Sequence, residues 1–179
     1  MHITMTGQPS LCFKQHFLLV ELLKVCAKTK DLRKGVSLHS YILENGLFEK
    51  NPYIGSNLIN MYVRCDMLTK AQQVLDDLPI QDVVSWNALI TGYVRLGQGH
   101  SAILHFQQMQ KIGLSPNEVT YICVLKACGS IGAIDMGSQI HDEIVVQGVL
   151  FNTKKRKANV LLGNALVDMY VKCDMLSKA

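Results

Sequence analysis

A chain of 179 residues holds one domain of ordinary size or two small ones, and its 49% hydrophobic content supplies a core, while 18% charge is too little for a disordered chain or a coiled coil. Net charge is +4, yet four of the 18 basic residues form the run Lys154-Lys155-Arg156-Lys157, without which the balance is 14 against 14; a strongly basic nucleic-acid binder is excluded, and any polyanion must be held by locally placed groups. The longest apolar stretch free of charge, Val83 to Val94, is 12 residues against the roughly 20 needed to cross a bilayer, which rules out a membrane-spanning helix.

In chain order, the first helix signal is Leu19, Leu22, Leu23 and Cys26, spaced i, i+3, i+4, i+7 as an apolar stripe. Gly35, Leu38, His39 and Ile42 repeat that spacing, and Gly46 falls just past its end, where a C′ residue belongs. Ala71, Val74, Leu75 and Leu78 give a third stripe. Val83-Val84-Ser85-Trp86 is β-prone, but one such segment without partners makes no sheet. Gly97-Gln98-Gly99 breaks the chain before Ala102, Phe106 and Met109, and Gly113 closes that helix. Pro52, Pro79 and Pro116 fall at the joints between helix pairs, where a helix cannot continue. About nine helices follow, in antiparallel pairs of 31 to 36 residues.

The chain also matches itself. Leu23-Lys24-x-Cys26, Gly35, His39, Ile42 and Gly46 recur 102 residues later as Leu125-Lys126-x-Cys128, Gly137, His141, Ile144 and Gly148. Gly55 to Ala71 recurs 108 residues later as Gly163 to Ala179, with 11 of 17 positions identical. The six extra residues lie between Gly148 and Gly163 and contain the basic run. One helix pair cannot bury its apolar face alone, whereas stacked pairs can. The expected fold is therefore all-α, an α-solenoid of stacked antiparallel helix pairs with the first helix of each pair lining the inner surface.

These residues carry a family resemblance. Val83-Val84-Ser85-Trp86-Asn87-Ala88-Leu89-Ile90-Thr91-Gly92-Tyr93, ending in Leu114-Ser115-Pro116-Asn117, resembles a standard pentatricopeptide repeat (PPR). Leu125-Lys126-Ala127-Cys128 with Gly137, Ile140 and His141 resembles the long variant, and Gly163-Asn164-Ala165-Leu166-Val167-Asp168-Met169-Tyr170 the short one. The order long, short, standard, long, short is that of the plant-type PLS subclass. Repeats are placed at 16–51, 52–82, 83–117, 118–159 and 160–179, with 1–15 as an N-terminal segment open to disorder. The last repeat stops before its second helix, so the chain is expected to be a fragment or truncated product of about four and a half repeats. Cys65-Asp66 and Cys173-Asp174 depart from the family's usual Cys-Gly.

The resemblance implies single-stranded RNA binding at about one base per repeat, with the fifth and last residues of each repeat hydrogen-bonding a base edge. In the standard repeat these are Asn87 and Asn117, a pair that prefers a pyrimidine, mostly cytosine. In the complete short repeat they are Ser56 and Asp82, resembling the guanine-preferring pair, and the last repeat contributes Asn164. Val20 and Ile122 hold the fifth position of the long repeats and cannot bond a base. The second position, which packs against bases in this family, gives Tyr53 and Val84. Binding by so short a chain is expected to be weak. The basic run Lys154, Lys155, Arg156 and Lys157 reads as a solvated loop, a phosphate-contacting patch or a nuclear-import signal.

Competing chemistry is poorly supported. His141-Asp142-Glu143 contains the His-x-Glu of zinc deaminases but lacks the downstream Pro-Cys-x-x-Cys, and its repeat counterpart His39-Ser40-Tyr41 has no Glu. Gly97-Gln98-Gly99-His100-Ser101-Ala102 fits a dinucleotide fingerprint but follows a helix, not a strand. Trp86, Tyr93, Met61, Met67, Met109, Met169 and Met175 read as core residues, and Cys12, Cys26, Cys65, Cys123, Cys128 and Cys173 as reduced thiols, since neither a secretory signal nor an Asn-x-Ser/Thr acceptor is read in the sequence, while the absence of Cys-x-x-Cys leaves a zinc site without support. No enzyme, metal, cofactor or small-molecule substrate is expected. The reading is a non-catalytic factor for organelle transcripts, in RNA processing or cytidine-to-uridine editing, with protein partners in an editing complex and a place in the mitochondrion or plastid. The alternative is a protein-interaction solenoid gripping a peptide, which polar fifth and last residues count against.

Overall fold

The computed structural model describes residues 11–49, 51–149 and 156–177. Among these residues there are nine α-helices and no strand. They fall into two compact units, Met1–Ile80 and Gln81–Ala179. The first holds α1 (Leu11–Thr29), α2 (Leu32–Glu44), α3 (Pro52–Arg64) and α4 (Leu68–Asp77). The second holds α5 (Val83–Arg95), α6 (Gly99–Lys111), α7 (Glu118–Ile131), α8 (Ile134–Val146) and α9 (Arg156–Ser177). In each unit consecutive helices pair through short turns, and first helices also stack on one another: α1 on α3, and α5, α7 and α9 in sequence. This is the helix-pair solenoid that the periodicity predicts. The β-prone Val83–Trp86 is the first turn of α5, because helix packing outweighs local propensity when no strand partner exists.

The turns follow from their residues. Gly46, Gly97, Gly113, Gly132 and Gly148 all have positive φ at helix ends. Two non-glycine residues share that conformation, Lys30 (φ 55°) and Asp66 (φ 62°). Asp66 is the residue that replaces the family's glycine, and Asp is among the few side chains that tolerate a left-handed backbone. Its carboxylate lies 3.3 Å from Lys30 Nζ, an exposed pair of small energetic weight. Pro52 opens α3 at a position where its missing N–H costs nothing.

The junction between α2 and α3 is built a second time between α8 and α9 with the same contacts. Met61 of α3 seats its sulfur against Gly35 of α2, and Met169 of α9 does so against Gly137 of α8; a Cβ on either glycine would collide with that sulfur. His39 Nδ1 lies 2.8 Å from Tyr62 Oη, and His141 Nδ1 lies 3.1 Å from Tyr170 Oη. Cys65 Sγ and Cys173 Sγ sit 3.9 and 3.8 Å from the methionine sulfur one turn earlier. The recurring histidines are thus packing residues in both copies. Cys26, Cys128 and Cys173 are buried thiols, and burial pushes Cys128 up to about 12.

Two expectations need adjustment, and a third feature carries no signal in the sequence. α1 begins at Leu11, five residues ahead of the first repeat boundary. Met61, Met109 and Met169 are fully buried, but Met67 is 36% exposed, because it stands at the N-cap of α4 on the outside of the turn; Met175 lies outside the described side chains. Finally, α9 runs straight through Cys173-Asp174-Met175-Leu176, whereas the matching Cys65-Asp66-Met67-Leu68 turns. The left-handed Asp66 costs of the order of 1–2 kcal/mol, which burial of Ala71, Val74 and Leu75 on α4 offsets.

Candidate functional site

At three of the expected repeat joints the last residue is also the N-cap of the helix that follows, whereas Asn159, at the fourth, lies inside α9. Asn51 Oδ1 accepts from Tyr53 N–H at 2.9 Å. Asp82 Oδ1 accepts from Ser85 N–H at 2.8 Å, and Asp82 N–H is returned to Ser85 Oγ at 3.1 Å. Asn117 Oδ1 accepts from Val119 N–H at 3.0 Å and Thr120 N–H at 3.1 Å, with Asn117 N–H returned to Thr120 Oγ1 at 3.1 Å. Both of the latter are capping boxes. A short polar side chain is needed here for the helix before any ligand is considered.

Asn87, four residues into α5, meets Asn117 across the repeat: its Nδ2 donates to Asn117 Oδ1 at 3.1 Å. Its own Oδ1 accepts from Thr120 Oγ1 at 2.7 Å. Asn87 and Asn117, at the expected fifth and last positions, are therefore bonded to each other, with Asn87 only 8% exposed and Asn117 half-buried. Asn117 Nδ2 makes no hydrogen bond among the described residues and remains a donor for an incoming group. Ser56, in the first unit, is 7% exposed and gives its proton to Tyr53 O at 3.2 Å. Asp82 belongs to the second unit.

Further along the second unit, Ile122 of α7 and Asn164 of α9 line one cavity of about 350 Å³ with Lys126, Leu161, Ala165 and Asp168. Asn164 is exposed, and Asp168 is held by Lys172 Nζ at 2.8 Å. Thus Asn87 reaches the head of α7, and Ile122 on α7 shares its cavity with Asn164.

Tyr53 and Val84 point outward, and so do the residues at the same position of every other repeat: Phe17, Val119 and Leu161 complete the set, all between 52% and 68% exposed. Other large apolar residues are as exposed, among them Ile80, Val146 and Val167, so the shared register and not the exposure groups these five. Extending the second-position rule from Tyr53 and Val84 to the remaining repeats identifies them. Thr120, fully buried, has no such signal in sequence, because its importance lies in bonds to Asn87 and Asn117.

Lys154 and Lys155 lie outside the described residues, and Arg156 and Lys157 form the first turn of α9, their side chains outside them too. Among the described residues no three His, Cys, Asp or Glu side chains are grouped to hold a metal ion, and no helix is long and apolar enough to cross a membrane. Glu143, the suspect of the His-x-Glu motif, instead accepts from Tyr121 Oη at 2.8 Å, Gln110 Nε2 at 3.0 Å and Gln147 Nε2 at 3.0 Å, tying α6, α7 and α8 together. Burial and that carboxylate push the Tyr121 hydroxyl well above its ordinary pKa.

Stacked helix pairs with a polar residue at each joint define a helical-repeat protein. The PPR repeat family model matches residues 81–130 and the PPR repeat model residues 56–80. The pentatricopeptide repeat-containing protein At2g13600 of Arabidopsis thaliana is 36% identical over 182 residues, covering 96% of this chain and 25% of that protein. Two more Arabidopsis thaliana relatives are At4g18520, named chloroplastic (37% identical, 90% of this chain and 25% of that protein), and At3g53360, named mitochondrial (32%, 95% and 21%). The crystal structure of the pentatricopeptide repeat protein PPR10 in complex with an 18-nt psaJ RNA element has a TM-score of 0.62, covers 94% of this chain and 26% of its own, and at 19% identity speaks for the fold. The chain belongs to the pentatricopeptide repeat family. It spans about a quarter of the length of these curated relatives.

Proposed function

We propose that this chain is a single-stranded RNA-binding array acting on organelle transcripts, non-catalytic, as a specificity element for RNA processing or cytidine-to-uridine editing, with repeats of the long, short and standard types. The observation that carries it is the Asn87–Asn117 pair, two amides joined at 3.1 Å at the fifth and last positions of one repeat. Asn117 turns an amide donor outward, which suits the N3 acceptor of cytosine and opposes the N3–H donor of uracil. Asp82, with one carboxylate oxygen on its helix cap, keeps the other for a donor such as guanine N1–H. The exposed second-position residues Phe17, Tyr53, Val84, Val119 and Leu161 supply faces for bases to pack on. Relatives named for chloroplast and mitochondrion support an organelle setting. Lys154 to Lys157 add charge for phosphates. A peptide groove would need capping residues at the joints too, but not a second amide bonded to the cap, as Asn87 is to Asn117.

Affinity is limited by size. Each seated base contributes about 1–3 kcal/mol, so two reading repeats give roughly 2–6 kcal/mol against an association cost of about 4 kcal/mol or more. The net is then at most about 2 kcal/mol, so the isolated chain should bind no tighter than roughly tens of millimolar. Asn117→Asp keeps the cap, since a carboxylate accepts the same two backbone N–H groups, and replaces the outward donor by an acceptor. Preference should move from cytidine toward uridine with helix content unchanged. Identical responses of the variant and the parent to cytidine- and uridine-centred oligonucleotides would refute the pair's role.

A further inference from the structure

We propose that Thr120, the third residue of the following repeat, is a positioning residue that locks the orientation of Asn87 and thereby the base preference of the Asn87–Asn117 pair; the proposal rests on the RNA-binding reading above. An amide side chain can face either way, so a reading pair is specific only if something decides which atom is oxygen. For Asn117 the helix decides. Its Oδ1 is held by the N–H groups of Val119 and Thr120, which cannot exchange donor for acceptor. That oxygen also faces Asn87, which presents its nitrogen to it at 3.1 Å. Asn87 Oδ1 is then turned away and, in a position 8% exposed, needs a donor. Thr120 supplies it.

The Thr120 hydroxyl has one proton and two acceptors in reach, Asn87 Oδ1 at 2.7 Å and Asn117 Oδ1 at 3.1 Å. The shorter contact goes to the oxygen that has no backbone donor. The hydroxyl oxygen in turn accepts Asn117 N–H at 3.1 Å, which orients its proton away from Asn117's backbone. The ring of bonds Asn117–Asn87–Thr120 thus has one self-consistent assignment, and Thr120 closes it while fully buried. Ser85 stands at the same place after Asp82 but sends its proton to Asp82 O at 2.7 Å, so capping alone does not require a bond to the fifth residue. The specificity of the standard repeat is accordingly set by three residues, one of them in the next repeat.

The test compares Thr120→Val, which keeps the shape and removes the hydroxyl, with Thr120→Ser, which restores it. Side-chain amide signals of Asn87 and Asn117 in the 179-residue protein are followed by NMR during titration with cytidine- and uridine-centred oligoribonucleotides in an adenosine background, a readout suited to weak binding. The parent protein should prefer the cytidine oligonucleotide about tenfold, as one hydrogen-bonded base edge allows. Thr120→Val should bring the ratio of the two dissociation constants close to one, and Thr120→Ser should return it. A loss of stability alone changes both constants together and leaves the ratio in place. Without RNA, the Asn87 side-chain amide should exchange faster with solvent in Thr120→Val than in the parent or Thr120→Ser. A Thr120→Val protein that keeps the parent's ratio overturns the proposal. If the parent binds neither oligonucleotide, the RNA-binding reading fails, and unchanged Asn87 amide exchange in Thr120→Val then overturns the positioning role by itself.

Discussion

Asn117 does two jobs with two atoms. Its oxygen starts α7 and its nitrogen faces out, which explains why the end of a repeat carries Asn or Asp irrespective of what is read there. His39 shows the opposite situation. It packs beside Tyr62 and Phe48, and its Nε2 is buried with no hydrogen-bond partner among the described residues. Desolvation lowers its pKa, with Asp77 opposing and Lys70 reinforcing that shift. A histidine kept neutral in the fold contributes stability above its ordinary pKa of about 6.5 and loses it as pH falls below that value, because only the unfolded chain takes up the proton freely. The melting temperature should therefore drop between pH 7 and pH 5, and His39→Gln should lessen that drop. An equal drop in the variant, measured by circular dichroism, would clear His39 of responsibility.

At the level of helices, caps and left-handed turns set where each element starts and stops. Asp82 serves α5 through Ser85, so Asp82→Ala should cost about 0.5–2 kcal/mol and Asp82→Asn much less, since Asn caps as well. Urea unfolding of the two variants measures the difference; equal losses would assign the effect to charge and not to the cap. Helix existence, the prolines at the joints and the glycines at helix ends were all legible from spacing and residue type. The fate of Met67 was not, because its apolar side chain sits at an N-cap on the outer side of a turn. Nor was the split behaviour of the two Cys-Asp-Met-Leu segments. The same residues turn where α4 packs on α3 and stay helical in α9.

For the whole molecule, each unit has its own core. Leu23, Ile42, Ile54, Leu58 and Leu75 are fully buried in the first, and Leu89, Ile90, Tyr121, Leu125 and Ile144 in the second. A boundary at Ile80–Gln81, with Ile80 81% exposed, suits independent folding of the two parts. Fragments 1–80 and 81–179 should each give a helical spectrum and a cooperative melt. A fragment that stays unfolded in isolation would show that its core does not suffice.

The 3.6-residue spacing, the self-match at 102 and 108, and the turn residues determined the helical-repeat architecture and the family from the order of amino acids alone, because each depends on neighbours close along the chain. Fifth and last positions could be counted off in the same way. Counting could not tell that Asn87 and Asn117, 30 residues apart, bond each other, or that Thr120 directs them. Those contacts exist only once α5 is stacked on α7, since packing between repeats, not spacing within one, decides which buried donor meets which acceptor.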